Sequence, residues 1–300
     1  MKVVMALGGN ALLRRGEPLT EEVQRRNVRN AALAVSAVAS QHQTIVTHGN
    51  GPQVGLLALE SEAYQDVPPY GLGVLGAESQ GMIGFLLEQA LRSRLPDACV
   101  ATLLTSVLVD QDDPGLTHPT KPVGPVYREA VARALSLLRG WPIVQDGEGF
   151  RRVVASPEPA QILELKAITA LVDAGVLLIC AGGGGVPMVR QPDGELVSVD
   201  AVVDKDLTSA LLAENLAADA LLLLTDVSEV VRDWGTPEAK PIREARVAEL
   251  RALNFEAGSM APKVVAACRF VEHTGRLAAI GALSDAPAML SGAAGTIVHP

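Results

Sequence analysis

Short apolar runs that end in glycine-rich turns recur along the chain. The runs cover residues 2–7, 44–47 and 176–181, and the turns after them contain Gly8 and Gly9, then Gly49, Asn50 and Gly51, then the glycines at 182–185. Apolar runs of this length, stopped by glycines, predict buried strands. A single pair of glycines also fits a tight turn without a ligand. Because the pattern returns, we expect one site at the carboxyl edge of one sheet, where backbone N–H groups can bind an anion.

Segments with helical spacing of apolar residues alternate with these runs. The predicted helices lie within 20–40, 52–59, 71–94, 127–139, 161–174 and 204–217, and one more follows Ser259. Thr20 and Ser259 are suitable N-caps, and Pro52 and Pro262 fit a first helical turn. Further strands are predicted at 99–105, 221–224, 277–283 and 296–298. This alternation of strand and helix predicts an α/β protein with a parallel or mostly parallel sheet.

The residue composition of the sequence changes between about residues 112 and 159. Proline recurs there at 114, 119, 122, 125, 142, 157 and 159. A predicted hairpin follows, with strands at 143–145 and 150–154 around a turn that contains Gly147 and Gly149. We interpret the segment as a small subdomain and a candidate lid. The alternative is a long surface excursion without a role.

Composition and charge exclude several classes of function. The 300 residues are 48% hydrophobic, which is enough for one large α/β domain or two closely joined lobes. A net charge of −9 and an aromatic content of 3% argue against a nucleic-acid partner. No apolar run is long enough to cross a membrane, and residues 1–7 do not resemble a signal peptide. We therefore expect a cytoplasmic protein with small-molecule substrates.

The three cysteines, Cys99, Cys180 and Cys268, lie far apart in apolar or helical surroundings. We expect all of them to be buried, reduced thiols. The five histidines are equally scattered, so no metal site made of protein ligands is predicted.

Lysine is rare: only six of the 25 basic residues are lysines. Lys121 lies in the proline-rich segment, Lys205 lies between Asp204 and Asp206 at a predicted helix start, and Lys263 lies in the first turn of another helix. Separated cations around glycine-rich turns suit phosphoryl transfer, which needs charge neutralisation and alignment of the partners. Each lysine alone also fits a solvated surface charge. Asp204 and Asp206 also fit an N-cap and a partner of the helix dipole.

Eight stretches, in this order, resemble the carbamate kinases of the amino-acid kinase superfamily, along nearly the full chain. They are 6–11 (ALGGNA), 47–55 (THGNGPQVG), 79–84 (SQGMIG), 119–125 (PTKPVGP), 151–154 (RRVV), 182–185 (GGGG), 204–206 (DKD) and 258–263 (GSMAPK). The resemblance implies a three-layer αβα sandwich around a mostly parallel sheet of about eight strands. It also implies a homodimer and a reversible reaction in which ATP and carbamate give ADP and carbamoyl phosphate with Mg²⁺. In fermenting cells the family commonly runs toward ATP.

The resemblance also implies roles for single residues. Gly8, Gly9 and Asn10 would hold phosphate or the acyl phosphate, and Gly49, Asn50, Gly51, Gly183 and Gly184 would bind carbamate or the transferred group. The catalytic group would consist of Lys121, Lys205, Lys263 and the orienting Asp206. The nucleotide, which would carry the Mg²⁺, would be held by Thr225, Asp226, Val227, Ser259, Met260 and Pro262. Residues 1–175 would form the acyl-substrate half of a single domain and residues 176–300 the nucleotide half.

Two positions bear on this resemblance. Other branches of the superfamily carry a lysine in the turn after the first strand, where this chain has Ala6 and Leu7. That difference disfavours acetylglutamate and aspartate kinases. In the predicted hairpin turn, Glu148 stands where the family often has an arginine. Two alternatives remain at this point: a related acyl-phosphate kinase for another small acid, and a non-catalytic nucleotide-binding relative.

Overall fold

The computed structural model describes residues 1–14, 16–253, 255 and 260–300, without the side chain of Asn10. The strands are β1 (Lys2–Leu7), β2 (Gln43–His48), β3 (Val100–Thr102), β4 (Ser106–Leu108), β5 (Lys121–Tyr127), β6 (Ile143–Asp146), β7 (Gly149–Val154), β8 (Gln161–Ile162), β9 (Leu177–Ile179), β10 (Val186–Arg190), β11 (Leu196–Ser198), β12 (Ala220–Thr225), β13 (Val230–Arg232), β14 (Lys240–Ile242), β15 (Glu244–Arg246), β16 (Leu277–Ala282) and β17 (Thr296–His299). The α-helices are α1 (Gly9–Leu12), α2 (Glu21–Ala39), α3 (Gly51–Ala63), α4 (Leu72–Arg92), α5 (Glu129–Arg139), α6 (Leu165–Asp173), α7 (Lys205–Asn215), α8 (Val247–Ala252), α9 (Met260–Thr274) and α10 (Ala286–Leu290).

The largest sheet has eight strands in the order β15-β17-β16-β12-β1-β2-β9-β3. Neighbouring strands from β16 to β3 are parallel, whereas β17 is antiparallel to β16 and parallel to β15. The predicted mostly parallel sheet is therefore confirmed. The antiparallel pair lies at one edge, the usual place for such strands in an otherwise parallel sheet.

Helices cover both faces of this sheet and make three layers. The side chains of β1 alternate between the two cores, with Val4 and Ala6 on one face and Val3, Met5 and Leu7 on the other. The first core includes apolar residues of α6, α7, α8 and α9, and the second includes those of α2, α4 and α10. Burial on both faces explains why the strand sequences are continuously apolar rather than alternating.

Sheet order explains why the glycine turns meet. Strands β12, β1, β2 and β9 are neighbours and parallel, so their carboxyl ends lie at the same edge. The backbone continues this pairing beyond the strands: Gly8 N–H donates to Leu224 O and Gly49 N–H donates to Leu7 O, both at 3.0 Å. The prediction that three glycine-rich turns share one sheet edge is confirmed.

Residues 121–154 form a small antiparallel unit, in which β5, β7 and β6 pair in that order and α5 connects β5 to β6. The predicted hairpin is confirmed, because β6 and β7 pair from Ile143 with Arg152 to Asp146 with Gly149. Gly147 in its turn has φ +63°, a conformation that favours glycine. The unit contacts α3 so closely that a Cβ on Gly55 would lie 2.0 Å from Gly124 Cα.

The structure corrects the predicted bounds of two elements. The strand predicted at 99–105 ends at Thr102, and Ser106–Leu108 joins a second sheet of order β11-β10-β4-β8. The side chain of Gln80 bonds both backbone groups of Thr105 at 2.9 Å, which replaces a strand neighbour there. The helix predicted at 161–174 begins only at Leu165, because residues 161 and 162 pair with β4.

Cys99 is exposed, so the prediction that all cysteines are buried is wrong for this residue. It directly precedes β3, which is the end strand of the large sheet in the described part of the chain. Cys180 and Cys268 are buried as expected, and burial raises the pKa of the Cys180 thiol to about 12. Within the described ranges, no helix combines the length and the apolar character that a membrane span requires.

Candidate active site

In the candidate site, the backbone of the glycine turns lies very close to neighbouring groups. A Cβ on Gly49 would lie 3.2 Å from Gly9 N and 3.4 Å from Lys205 Cδ, so the turns after β1 and β2 meet beside Lys205. Gly183 has φ +64°, and a Cβ there would lie 2.2 Å from Asn50 Nδ2. Glycine is required at such positions because any side chain would clash or force strain. The predicted residues Gly8, Gly9, Gly49, Asn50, Gly51, Gly183 and Gly184 thus share one sheet edge.

A buried carboxylate joins two of the predicted lysines. Asp206, in the first turn of α7, accepts a hydrogen bond at 2.6 Å from Lys205 Nζ and one at 2.9 Å from Lys263 Nζ of α9. The side chains of Lys263 and Asp206 are both 4% exposed, and that of Lys205 is 9% exposed. Buried charges are tolerated only when they are paired and hydrogen-bonded, and this arrangement satisfies both oxygens of Asp206.

Asp204 brings the third lysine to the same place. Its Oδ1 accepts from the backbone N–H of Asp206 at 2.8 Å, which caps α7, and its Oδ2 pairs with Lys121 Nζ from β5. Asp204 is therefore the N-cap that the sequence predicted, and it is also a partner for Lys121. Our sequence reasoning did not count Asp204 among the site residues. Its position two residues before Asp206, at a helix start, is the signal that could have found it.

The cluster holds three lysines and two aspartates, so one positive charge is in excess when all five groups are charged. The structure therefore supplies what an anionic ligand needs: a buried excess of positive charge beside backbone N–H groups of glycine turns.

Burial and charge pairing shift the pKa values in this cluster. Burial and the neighbouring Lys263 ammonium together lower the pKa of Lys205 to about 8, while the Asp206 carboxylate opposes the shift. Burial alone would also lower the pKa of Lys263, but its neighbours, above all the Asp206 carboxylate and then Asp204, together outweigh burial and raise it. Burial would raise the pKa values of Asp204 and Asp206, yet the adjacent lysines hold both below their usual range.

The turn after β9 lies on one side of β1. The residues predicted to bind the nucleotide lie on its other side, where β12 is the neighbouring strand. Thr225 ends β12, and a Cβ on Gly8 would lie 2.8 Å from Leu224 O and 3.7 Å from Thr225 Cα. Thr225 Oγ1 donates to Asp226 Oδ1 at 3.1 Å, and Val227 is half-buried. Met260 and Pro262 lie in the first turn of α9, next to Lys263. Ser259 and the side chain of Asn10 lie outside the described residues, so these two predictions stay untested.

Supporting side chains were missed by sequence reasoning. Ser79 Oγ accepts from Asn50 Nδ2 at 2.8 Å and donates to Gly76 O at 2.6 Å, so α4 orients the turn after β2. Thr47 Oγ1 and Ser209 Oγ, 2.6 Å apart, connect β2 to α7 behind the lysines. The stretch 79–84 is one of the eight that resemble the carbamate kinases, but the supporting role of Ser79 toward Asn50 could not be read from the sequence.

His48, at the end of β2, is a neutral part of the site. Its Nδ1 lies 3.1 Å from Gly49 O, and its ring packs against Gly182. Burial lowers the pKa of His48 to about 4, and Lys205 contributes to the shift. At neutral pH this imidazole adds no charge to the site.

Comparison with known proteins gives the family. The sequence profile of the amino acid kinase family matches residues 1–281. The chain belongs to the amino acid kinase family. Among curated members of this family, a carbamate kinase of Rhizobium meliloti (strain 1021) is 55% identical over 99% of this chain and 93% of its own. A carbamate kinase of Haemophilus influenzae is 50% identical over 99% of this chain and 96% of its own.

Solved structures of other proteins share this fold. Carbamate kinase from Giardia lamblia bound to citric acid matches with a TM-score of 0.94 and 40% identity, over 99% of this chain and 98% of that one. The same enzyme bound to AMP-PNP matches with a TM-score of 0.88 over the same shares. Isopentenyl phosphate kinase of T. acidophilum, at 12% identity and a TM-score of 0.58, shares the fold alone.

The pKa of Lys205 predicts a pH dependence. If the charged ammonium is needed, kcat/KM falls as pH rises through about 8, because Lys205 loses its proton there. The decrease of kcat should occur at a higher pH than the decrease of kcat/KM, since a bound phosphate stabilises the charged ammonium of Lys205. Steady-state kinetics between about pH 6 and pH 10 checks this.

The control is Lys205→Arg, whose guanidinium stays charged throughout this range. Its residual activity should lack the alkaline limb near pH 8. A wild-type kcat/KM that stays constant up to about pH 10 would contradict a requirement for the charged lysine.

Proposed function

We propose that this chain transfers a phosphoryl group reversibly between ATP and carbamate, giving ADP and carbamoyl phosphate. The observation that supports phosphoryl transfer most strongly is the meeting of Lys121, Lys205 and Lys263 on two aspartates beside glycine turns. Carbamate as the acceptor follows from the carbamate kinases that match along the full chain. We further propose that the cell uses the reaction to make ATP from carbamoyl phosphate.

The proposed mechanism is positioning with charge neutralisation. A carboxylate oxygen of carbamate attacks the γ-phosphorus of ATP, and the bond from that phosphorus to the ADP oxygen breaks. Carbamate is already an anion, so no general base is required. The three lysines neutralise the charge on the transferring group, and Asp206 holds two of them in fixed positions.

Substrates would bind on two sides of β1. The acyl substrate would bind between the turns after β1, β2 and β9, close to Asn50 and Gly183. The nucleotide would bind beside β12 and the start of α9. We propose the halves 1–175 and 176–300 on this basis, with one qualification: β9 belongs to the second half of the sequence but lies between β2 and β3.

Mg²⁺ would be carried by the nucleotide phosphates. Each carboxylate oxygen of Asp204 and of Asp206 already accepts a hydrogen bond from the protein, and the adjacent ammonium groups repel a cation, so this cluster is poorly suited to a metal ion. Among the residues described, no group of three or more His, Cys, Asp or Glu could hold a metal ion. This donor chemistry fits a metal bound mainly through substrate phosphates and water, where it neutralises phosphate charge.

The first test is ATP formation from ADP and carbamoyl phosphate with Mg²⁺. We expect activity in the wild type and a loss of at least about a hundredfold in Lys205→Ala and in Lys121→Ala, because each change removes a cation that neutralises the transferring group in the transition state. Lys166→Ala, an exposed lysine on α6, is the matched control and should keep full activity.

Two outcomes would contradict the proposal. An inactive wild type that binds ATP would favour a related acid substrate or a non-catalytic role, which a screen of small carboxylic acids would separate. Near wild-type rates in both lysine variants would show that the catalytic cations are assigned wrongly.

We also propose a homodimer formed through α4 and β3. Phe85 is 58% exposed, Leu104 50% and Val74 48%, although all are large apolar residues. Phe85 and Leu104 line a surface cavity of about 280 Å³ beside β3, the uncovered end strand of the large sheet. Exposed apolar surface next to an open sheet edge is a common site of association.

Phe85→Glu should convert the dimer to a monomer, because it places a charge in the proposed apolar interface. Sedimentation velocity measures the mass directly. Leu137→Glu, on α5 and 89% exposed, is the control and should leave the mass unchanged. A wild-type monomer, or a Phe85→Glu dimer, would refute this interface.

A further inference from the structure

One face of α3 contacts the small antiparallel unit along its whole length. Gly51 lies at the first turn, where a Cβ would be 3.6 Å from Pro122 O, and Gly55 lies against Gly124. Ala58 belongs to an apolar cluster with Val123 of β5. Positions 51, 55, 58 and 62 fall on one face of a helix, so Glu62 continues this surface at the last turn.

At the last turn of α3, Glu62 forms ion pairs with the small antiparallel unit. Its Oε2 pairs with Arg139 Nη1 of α5, and its Oε1 lies 3.8 Å from Arg152 Nη1 of β7. Both guanidinium groups also stack on Trp141, at 4.8 Å for Arg139 and 4.5 Å for Arg152 from the ring centroid. Glu62 is 21% exposed and Trp141 is 8% exposed, so the carboxylate and the ring are largely shielded from solvent, whereas Arg139 lies at the outer side of the group. A shielded carboxylate shared by two stacked arginines fixes geometry better than an exposed pair does.

Lys121 lies on β5, which pairs with the strand β7 that carries Arg152. In the β5–β7 ladder, Arg152 pairs with Val123 and Val154 pairs with Lys121, two residues away on each strand. A movement of Arg152 relative to α3 must therefore move Lys121 relative to Asp204. The other end of α3 begins at Gly51, in the turn that we assign to the substrate. Helix α3 thus connects the turn that we assign to the substrate with the small antiparallel unit that carries Lys121.

We propose that Glu62 is a positioning residue: it holds the small antiparallel unit against α3 and so keeps Lys121 in the active site. The inference rests on the proposed function, in which Lys121 neutralises the transferring phosphoryl group. Glu62 does not touch the reacting atoms, and its effect on turnover passes through Lys121 alone.

The experiment is a double-mutant cycle of Glu62→Gln and Lys121→Ala in the ATP-forming assay. Glu62→Gln should lower kcat by about three- to tenfold, because the unit spends less time in the productive position. In the Lys121→Ala background the same change should have no further effect. Glu60→Gln, an exposed carboxylate two residues before Glu62 on α3, is the matched control and should keep wild-type kcat.

Hydrogen exchange gives a second readout that does not need activity. In Glu62→Gln, amide exchange should accelerate in β5 and β7 and stay unchanged in β1 and β2, since only the docking of the unit is weakened. Glu129→Gln serves as control on the same unit. Glu129 is exposed, and in the contacts described it pairs with Arg133 of its own helix and makes no bridge to α3.

The outcomes separate the inference from the proposed function. Additive losses in the double variant, or unchanged exchange in β5 and β7, would overturn the positioning role while the kinase assignment stands. An inactive wild type would instead refute the proposed function, and the exchange measurement would then decide the docking role by itself.

Discussion

The structure depends most on one buried carboxylate that is shared by two lysines. Asp206 holds Lys205 and Lys263 at 2.6 and 2.9 Å, with all three side chains less than a tenth exposed. Removing ammonium groups from water costs several kcal/mol each, and only close opposite charges offset this cost. Once these two cations are fixed, the position of α7 relative to α9 is fixed too, and a third lysine can join through Asp204. The site is thus prepared for an anion before any ligand arrives.

The architecture brings these groups together by simple means. Parallel strands end at one edge, the glycine turns leave their N–H groups accessible, and the starts of α3, α7 and α9 lie at the same edge. Helix N-termini carry partial positive charge, which adds to the lysines in attracting phosphate. A chain with a net charge of −9 can therefore bind an anion, because the local charge differs from the global one.

Much of the fold could be predicted from the sequence, because the signals are local. Apolar runs, glycine turns and the Thr20 cap mark elements that the structure contains, and Thr20 Oγ1 accepts from Val23 N as an N-cap should. The strand after Cys99 was predicted too long, since its end depends on Gln80, a residue distant in the sequence. Two contacts could likewise not be predicted: the pair of Asp204 with Lys121, and the contact of Glu62 with two arginines. Both join elements that approach each other only in the folded chain.

The most direct measurement is the free energy of unfolding of Asp206→Asn, obtained by urea denaturation at neutral pH. If two buried ammonium groups depend on this carboxylate, the variant should lose about 3–5 kcal/mol, because an uncompensated buried charge remains. The exposed Asp66→Asn should change the free energy by less than about 0.5 kcal/mol. An Asp206→Asn protein as stable as the wild type would contradict the account, since the lysines would then be held by something other than this aspartate.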